Sequence, residues 1–250
     1  MGKAVLSAIM FVTFLAISGC GQSPGHFALP DEPQSETEAL LTDGPGDDIV
    51  NPPISTNPNP PQPRESVLGK YKHLDPNHKI SAELLEAAVL YYDANLANIT
   101  NQDYLAIIDF SKKSSVGRFF IIAMKSGDVW SIHTAHGSGS DNDNDGYAEK
   151  FSNVSGSNAS SLGFYRTAET YEGSHGNSMR LDGLSLTNSN ARERAIVLHG
   201  ASYVQEASVI QGRSWGCPAV ADHLKDQVID KLKGGSIIYA GLSQDAGDAH

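Results

Sequence analysis

Ile196-Val197-Leu198-His199-Gly200 and Gly212-Arg213-Ser214-Trp215-Gly216-Cys217-Pro218 lie close together in the chain, with fourteen residues between His199 and Ser214. The first run is apolar, partly β-branched and closed by glycine, the pattern of a buried strand. A histidine at its end sits where a rigid element can aim the ring outward. The second run places a thiol on a turn, with Gly216 before it and Pro218 after it. Pro218 suits the first position of a helix, where its missing N–H costs nothing. Val220, Leu224, Val228, Ile229 and Leu232 continue near helical spacing up to Gly234-Gly235. The expectation is a cysteine at a helix N-terminus, where the dipole and free N–H groups favour thiolate and would stabilise an oxyanion.

Outward from this pair the chain reads as strands. Tyr104–Phe110, Arg118–Met124, Asp128–His133 and Ser236–Ala240 are short β-rich runs, and Lys125-Ser126-Gly127 joins the second and third as a hairpin. Residues 137–163 are rich in Gly, Ser, Asn and Asp and read as a long surface loop, a length that is often functional. Upstream, Ser81 suits an N-cap and Glu83 the first turn, while Ile80, Leu84, Ala88, Tyr91 and Tyr92 or Leu96 recur at helical spacing. The expected class is mainly β, with a flanking helix before the strands and another after the cysteine.

The first 65 residues are different in kind. Lys3 precedes the apolar run Ala8–Ile17, too short to span a bilayer comfortably but fitting a secretory signal. Ile17-Ser18-Gly19-Cys20 resembles the lipobox of bacterial lipoproteins, which implies lipidation of Cys20 and a membrane anchor. Gly21 follows in place of the aspartate that retains many lipoproteins at the inner membrane, so the expected place is the periplasmic face of the outer membrane. Ten of the twelve prolines lie between Pro24 and Pro63, in a segment expected to be a disordered tether. The organisation read from this is a signal peptide over 1–19, a lipidated cysteine and linker over 20–65, and one folded domain over 66–245.

Charge and cysteine count narrow the chemistry. The net charge is 18 − 29 = −11, with no Lys/Arg cluster in the folded part, which sets nucleic-acid partners aside. Two cysteines, Cys20 and Cys217, exclude a disulfide scaffold and a four-thiolate zinc site. With Cys20 acylated, Cys217 has no partner in an oxidising compartment, and a thiol left free there points to use.

A strand-borne histidine, fourteen residues, and then Ser-x-Gly-Cys resembles the signature of the L,D-transpeptidase catalytic (YkuD-type) family. Ser160-Ser161-Leu162-Gly163-Phe164-Tyr165, Tyr171-Glu172-Gly173-Ser174-His175-Gly176 and Asn190-Ala191-Arg192-Glu193-Arg194 are similar to a bacterial branch of it, across about residues 100–242. Trp215 and Ala219 depart from the best-known pattern, in which a histidine and an Arg or Asn stand at those positions. The resemblance implies a thiolate at Cys217, a proton carrier at His199, oxyanion donors at the N–H groups of Gly216 and Cys217, and shaping roles for Ser214 and Gly200. The implied reaction is two-step acyl transfer on peptidoglycan stem peptides without a cofactor. Cys217 attacks the bond after the third stem residue, the terminal D-alanine leaves, and an amine or water resolves the thioester.

Around that pair, His175 on a glycine-flanked turn is a candidate for bordering the donor groove or a turn histidine bonded to backbone. Arg213 and Arg180 are candidates for recognising stem carboxylates, and Trp215 for a lid, a stacking wall or a packed interior ring. No metal is expected. Asp141–Gly146 matches the first half of an EF-hand loop, but Ser152 falls where a bidentate glutamate belongs, so a polar insertion is the reading kept. A zinc hydrolase using His133, His136, His175 and His199 lacks any tight ligand spacing. Two other readings stay open: an L,D-carboxypeptidase that uses water, and a non-catalytic lipoprotein that binds peptidoglycan. Oligomeric state is not legible.

Overall fold

The computed structural model describes residues 63–244, which belong to the compact unit Asp47–His250. The signal segment, Cys20 and nearly all of the linker lie outside the described residues. Eight strands form one sheet: β1 (Tyr104–Asp109), β2 (Phe119–Ala123), β3 (Val129–Ile132), β4 (Gly163–Gly173), β5 (Gly176–Gly183), β6 (Val197–Ala201), β7 (Ala219–Ala221) and β8 (Ile237–Gly241). Their order is β3-β2-β1-β8-β4-β5-β6-β7. Two neighbouring pairs, β1–β8 and β6–β7, run parallel and the others antiparallel. The mainly-β expectation holds, and every run read as a strand is one.

Alternation along β1 explains how the sheet is covered. Ala106 and Ile108 point into one core with Phe119, Ile121, Leu198 and Val220, and with Val228, Ile229 and Leu232 of α3 (Lys225–Leu232). Strands from both ends of the sheet thus share one apolar interior, as in a sandwich. Leu105 and Ile107 point the other way, onto α1 (Arg64–Lys70) and α2 (Ala82–Ala94). A strand buried on both faces needs a continuous apolar run, and Leu105-Ala106-Ile107-Ile108 supplies it.

The N-terminal helices therefore pack on the face opposite the core that the thiol adjoins. Phe164 fixes α2 there: its ring stacks on Tyr91 at 3.8 Å and on Tyr239 at 4.4 Å. Phe164→Ala should cost about 3–5 kcal/mol. Thermal unfolding should register it as a fall of roughly 6–20 °C. A change under a degree or two would mean that this stack does not hold α2. Ser81 does precede α2 as expected, yet its side chain makes no capping bond and its buried Oγ has no partner.

Two features differ from the sequence reading. Pro218 does not begin a helix. Ala219-Val220-Ala221 is strand β7, paired parallel to β6, and α3 starts only at Lys225. Small alanines let β7 sit beside β6, while Val220 reaches the core. What resembles the first turn of a helical face is one strand residue followed by a tight turn. The second difference is the β4–β5 hairpin, absent from the sequence reading although β4 is the longest strand. Beyond a register shift between Thr167 and Thr170, β4 is largely exposed on both sides, so apolar alternation is lost there.

Candidate active site

The β6–β7 register pairs His199 with Ala219. Cys217, two residues before β7, lies outside the strand and packs against the core that holds Ile196, Leu198 and Val220. The Val197 N–H donates to Cys217 Sγ at 3.4 Å, and the thiol faces the Ala195 carbonyl at 3.8 Å. No hydrogen bond joins the sulfur to the imidazole directly.

His199 is almost fully buried. Its Nδ1 lies 2.9 Å from the Gly200 carbonyl. A carbonyl only accepts, so Nδ1 carries the proton and Nε2 of the neutral ring keeps its lone pair. Burial lowers the His199 pKa, the Gly200 bond opposes that, His175 adds to the lowering, and Asp222 opposes it. Burial also pushes the Cys217 thiol up, against the pull of the Val197 N–H and the Arg194 guanidinium. Both groups are thus neutral near pH 7, a thiol and a basic imidazole. The expectation of a thiolate held by a helix dipole is corrected here, because no helix starts at Cys217.

Ser214 builds the turn. Its Oγ lies 2.7 Å from the Cys217 carbonyl and accepts the Gly216 N–H at 3.1 Å, and its own N–H donates to the His136 carbonyl. Gly216 has φ +116, where a Cβ would stand 2.7 Å from the Ala159 carbonyl. Only glycine fits there. With the Gly216 N–H engaged by Ser214, the Cys217 N–H is left as the candidate oxyanion donor.

Of the candidate substrate residues, His175 stands at the tip of the β4–β5 hairpin with its ring 4.2 Å from that of His199. Trp215 is 80% exposed beside the thiol turn, so it is a surface ring and not interior packing. Arg213 donates to the Asp141 carbonyl, and Arg180 lies against Glu169 and the Tyr171 ring. Both guanidinium groups thus already have protein partners. Gly200 lets Asp222 and Lys225 approach the end of β6.

The structure adds residues to which the sequence reading gave no role. Arg194 grips the loop over the turn, donating to the Ser152 and Ala159 carbonyls at 2.6 Å each and to Ser161 and Ser157 Oγ. Its Nη2 is 3.2 Å from where a Gly216 Cβ would be. Behind the turn, the fully buried Arg118 donates to His136 Nδ1 at 2.7 Å, and His136 Nε2 donates to Asp141 at 3.0 Å. Arg118 can only donate, which fixes this tautomer. A lone arginine preceding Phe119-Phe120-Ile121-Ile122 was the available signal, since a cation next to a buried strand needs internal partners.

Burial and the neighbouring Arg118 push the His136 pKa down to about 4 from 6.5. Between those two values the unfolded chain takes a proton that folded His136 refuses, so stability falls as pH drops through that window. Melting temperatures from pH 7 to 4 should decline for the natural chain. His136→Gln should lower the plateau and flatten the decline; an equal slope in both proteins would show that another group is responsible.

Among the described residues the histidines weighed as zinc ligands form no group with metal-ligand spacing. His133 bonds Glu206 and the Ser115 carbonyl, and His136 and His199 are engaged as described. Among the described residues the one group with metal-ligand spacing is Asp141, Asp143 and Glu149, in the EF-hand-like loop. There the Asp141 carboxylate already accepts from His136 and from the backbone N–H groups of Asp145 and Gly146.

No curated protein matches the chain. Among solved structures it is similar to LdtMt1, an L,D-transpeptidase in complex with imipenem, at 12% identity over 56% of this chain and 59% of that one, with a TM-score of 0.35. An L,D-transpeptidase from Mycobacterium smegmatis gives 14% identity, 56% and 58% coverage and a TM-score of 0.35. One from Xylanimonas cellulosilytica gives 16%, 60% and 69%, and 0.33. The chain spans less than two thirds of the length of the first two. Residues 76–240, about two thirds of the 250, match the L,D-transpeptidase catalytic domain. The chain belongs to the L,D-transpeptidase catalytic domain family, a family of peptidoglycan-modifying transpeptidases.

Proposed function

We propose that this protein is a murein L,D-transpeptidase that transfers acyl groups between peptidoglycan stem peptides through a thioester at Cys217. The observation that supports the reading is the parallel β6–β7 pairing, which runs the segment that follows Cys217 alongside the strand that carries His199. The Val197 N–H of that strand donates to Cys217 Sγ at 3.4 Å. His199 Nε2, unprotonated in the neutral ring, takes the thiol proton as the sulfur attacks the carbonyl carbon of the third stem residue. The Cys217 N–H receives the oxyanion, and the D-alanine amine departs with the proton from His199. An amine, or water in the carboxypeptidase variant, then attacks the thioester.

The absence of a Cys217–His199 hydrogen bond favours a second reading, a wall-binding protein without turnover. Catalytic hydrogen bonds often form only once substrate is bound, so the missing bond leaves the transpeptidase reading standing. Mass spectrometry of tetrapeptide muropeptides incubated with the protein separates the readings. Cross-linked dimers mark the transpeptidase and tripeptides the carboxypeptidase, whereas unchanged muropeptides that co-sediment with the protein mark the binder. On sequence grounds the proposal extends to a lipid anchor at Cys20 and a place at the outer membrane, with the Pro-rich segment as tether.

A further inference from the structure

The segment after β3, residues 134–138, is bonded to the thiol turn on both sides of Cys217. Ahead of the sulfur, the Ser214 N–H donates to the His136 carbonyl at 2.9 Å and the Ser138 N–H to the Ser214 carbonyl at 2.8 Å. After it, the Ala219 carbonyl accepts from the Ala135 N–H and from Thr134 Oγ1, both at 2.9 Å. The two backbones touch, since a Cβ on Gly137 would stand 2.8 Å from Gly216 Cα. Where this segment lies therefore decides where the sulfur lies.

The segment belongs to none of the eight strands, and side chains set its place. The Arg118 guanidinium donates from Nε and Nη2 to the Thr134 carbonyl, at 3.2 and 2.9 Å, and Nη2 also meets His136 Nδ1. Beyond the ring, Asp141 accepts from His136 Nε2, and its own carbonyl accepts from Arg213, the residue before Ser214. Asp141 thus reaches the turn by two routes. The N–H groups of Asp145 and Gly146 hold its carboxylate, which gives that loop a use of its own. Arg118, His136 and Asp141 are each at most 1% exposed. A buried ion network adds little net stability over apolar packing, and its best-attested use is to fix one arrangement among several. The arrangement fixed here is that of the turn bearing the nucleophile.

We infer that Arg118, His136 and Asp141 are positioning residues: they set residues 134–138, and through them hold the Cys217 sulfur against the Val197 N–H. The inference rests on the proposed acyl transfer for its bearing on rate, while the placing of the sulfur stands apart from it.

The test compares Asp141→Asn with Phe164→Ala in the full chain, at a temperature where both are folded. Asn keeps the size of Asp and an acceptor for His136, but turns an amide donor towards the N–H groups of the loop. Phe164 packs in the core on the opposite face of the sheet, so its loss reports stability alone. With a saturating tetrapeptide donor, Asp141→Asn should form acyl-enzyme roughly tenfold more slowly, a fraction of the ~10²-fold that a full 1 Å displacement costs. The half-saturating concentration should stay within about twofold, because a buried carboxylate removes no donor contact. Iodoacetamide labelling of Cys217 should bend at higher pH than in the natural chain, since the Val197 N–H that pulls the thiol pKa down is lost. Loss of a negative charge alone would move that bend the other way. Phe164→Ala should keep the natural rate and bend. If Asp141→Asn does not fold, His136→Gln should show the same two changes in smaller measure, its amide accepting from Arg118 and donating to Asp141. A rate as fast as that of Phe164→Ala, or a bend that stays or moves down, overturns the inference. Wild-type protein that forms no acyl-enzyme by intact mass overturns the proposed function instead, and the labelling bend alone then decides the inference.

Discussion

Cys217→Ala should leave no turnover of tetrapeptide stems and no covalent adduct with a carbapenem, whereas the natural chain gains the mass of one ligand. No other thiol stands among the described residues, and nearby Ser214 has its hydroxyl committed to holding the turn. His199→Gln should be milder, losing ~10²–10⁴ in rate, because it removes proton transfer and keeps the nucleophile. The pH dependence comes from the two displaced pKa values. A thiol held up by burial is mostly protonated at neutral pH, so iodoacetamide labelling should rise with pH and bend above the ordinary thiol range. A buried imidazole with a lowered pKa stays basic to lower pH, so the acid limb of turnover should fall below 6.5. An adduct that forms equally on Cys217→Ala would place the nucleophile elsewhere.

The proposed pair, Cys217 and His199, stands out in the sequence because both residues are punctuated. Glycine and proline around Cys217, and an apolar run ending at His199, each signal a turn or a strand end without any long-range information. The same punctuation misleads about the residues after Pro218. A proline at the first helical position and a proline before an edge strand leave the same local trace, since neither site needs its N–H. Parallel pairing with β6 decides between them, and it is a contact that no window of sequence contains. The β4–β5 hairpin escapes for the opposite reason. Beyond Thr167 its side chains meet solvent, the charged network of Arg166, Glu169, Asp182 and Arg192, or the Tyr171 ring, so no alternating apolar pattern remains. Arg118, His136 and Asp141 are scattered in sequence and joined only by burial.

Arg194→Gln should have the second-largest effect, acting on the thiol without touching it in the structure. The guanidinium makes four hydrogen bonds to the loop of residues 152–161 and lies against Gly216. It is also the cation that pulls the Cys217 pKa down against burial. Removing the charge should move the alkylation inflection further up, and a tenfold weaker acid holds about tenfold less thiolate to label at neutral pH. Loss of the fork leaves the Ser152 and Ala159 carbonyls short of donors, at about 1–3 kcal/mol each if they stay dry. The turn would then relax, and a displacement near 1 Å at the sulfur costs on the order of 10²-fold in turnover. Arg194→Lys divides the two roles, because an ammonium keeps the charge but cannot span four acceptors in one plane. It should restore the inflection while turnover stays low. If Lys and Gln variants lose stability alike and both keep the natural inflection, Arg194 is a structural clamp and the thiol is tuned by burial and the Val197 N–H alone.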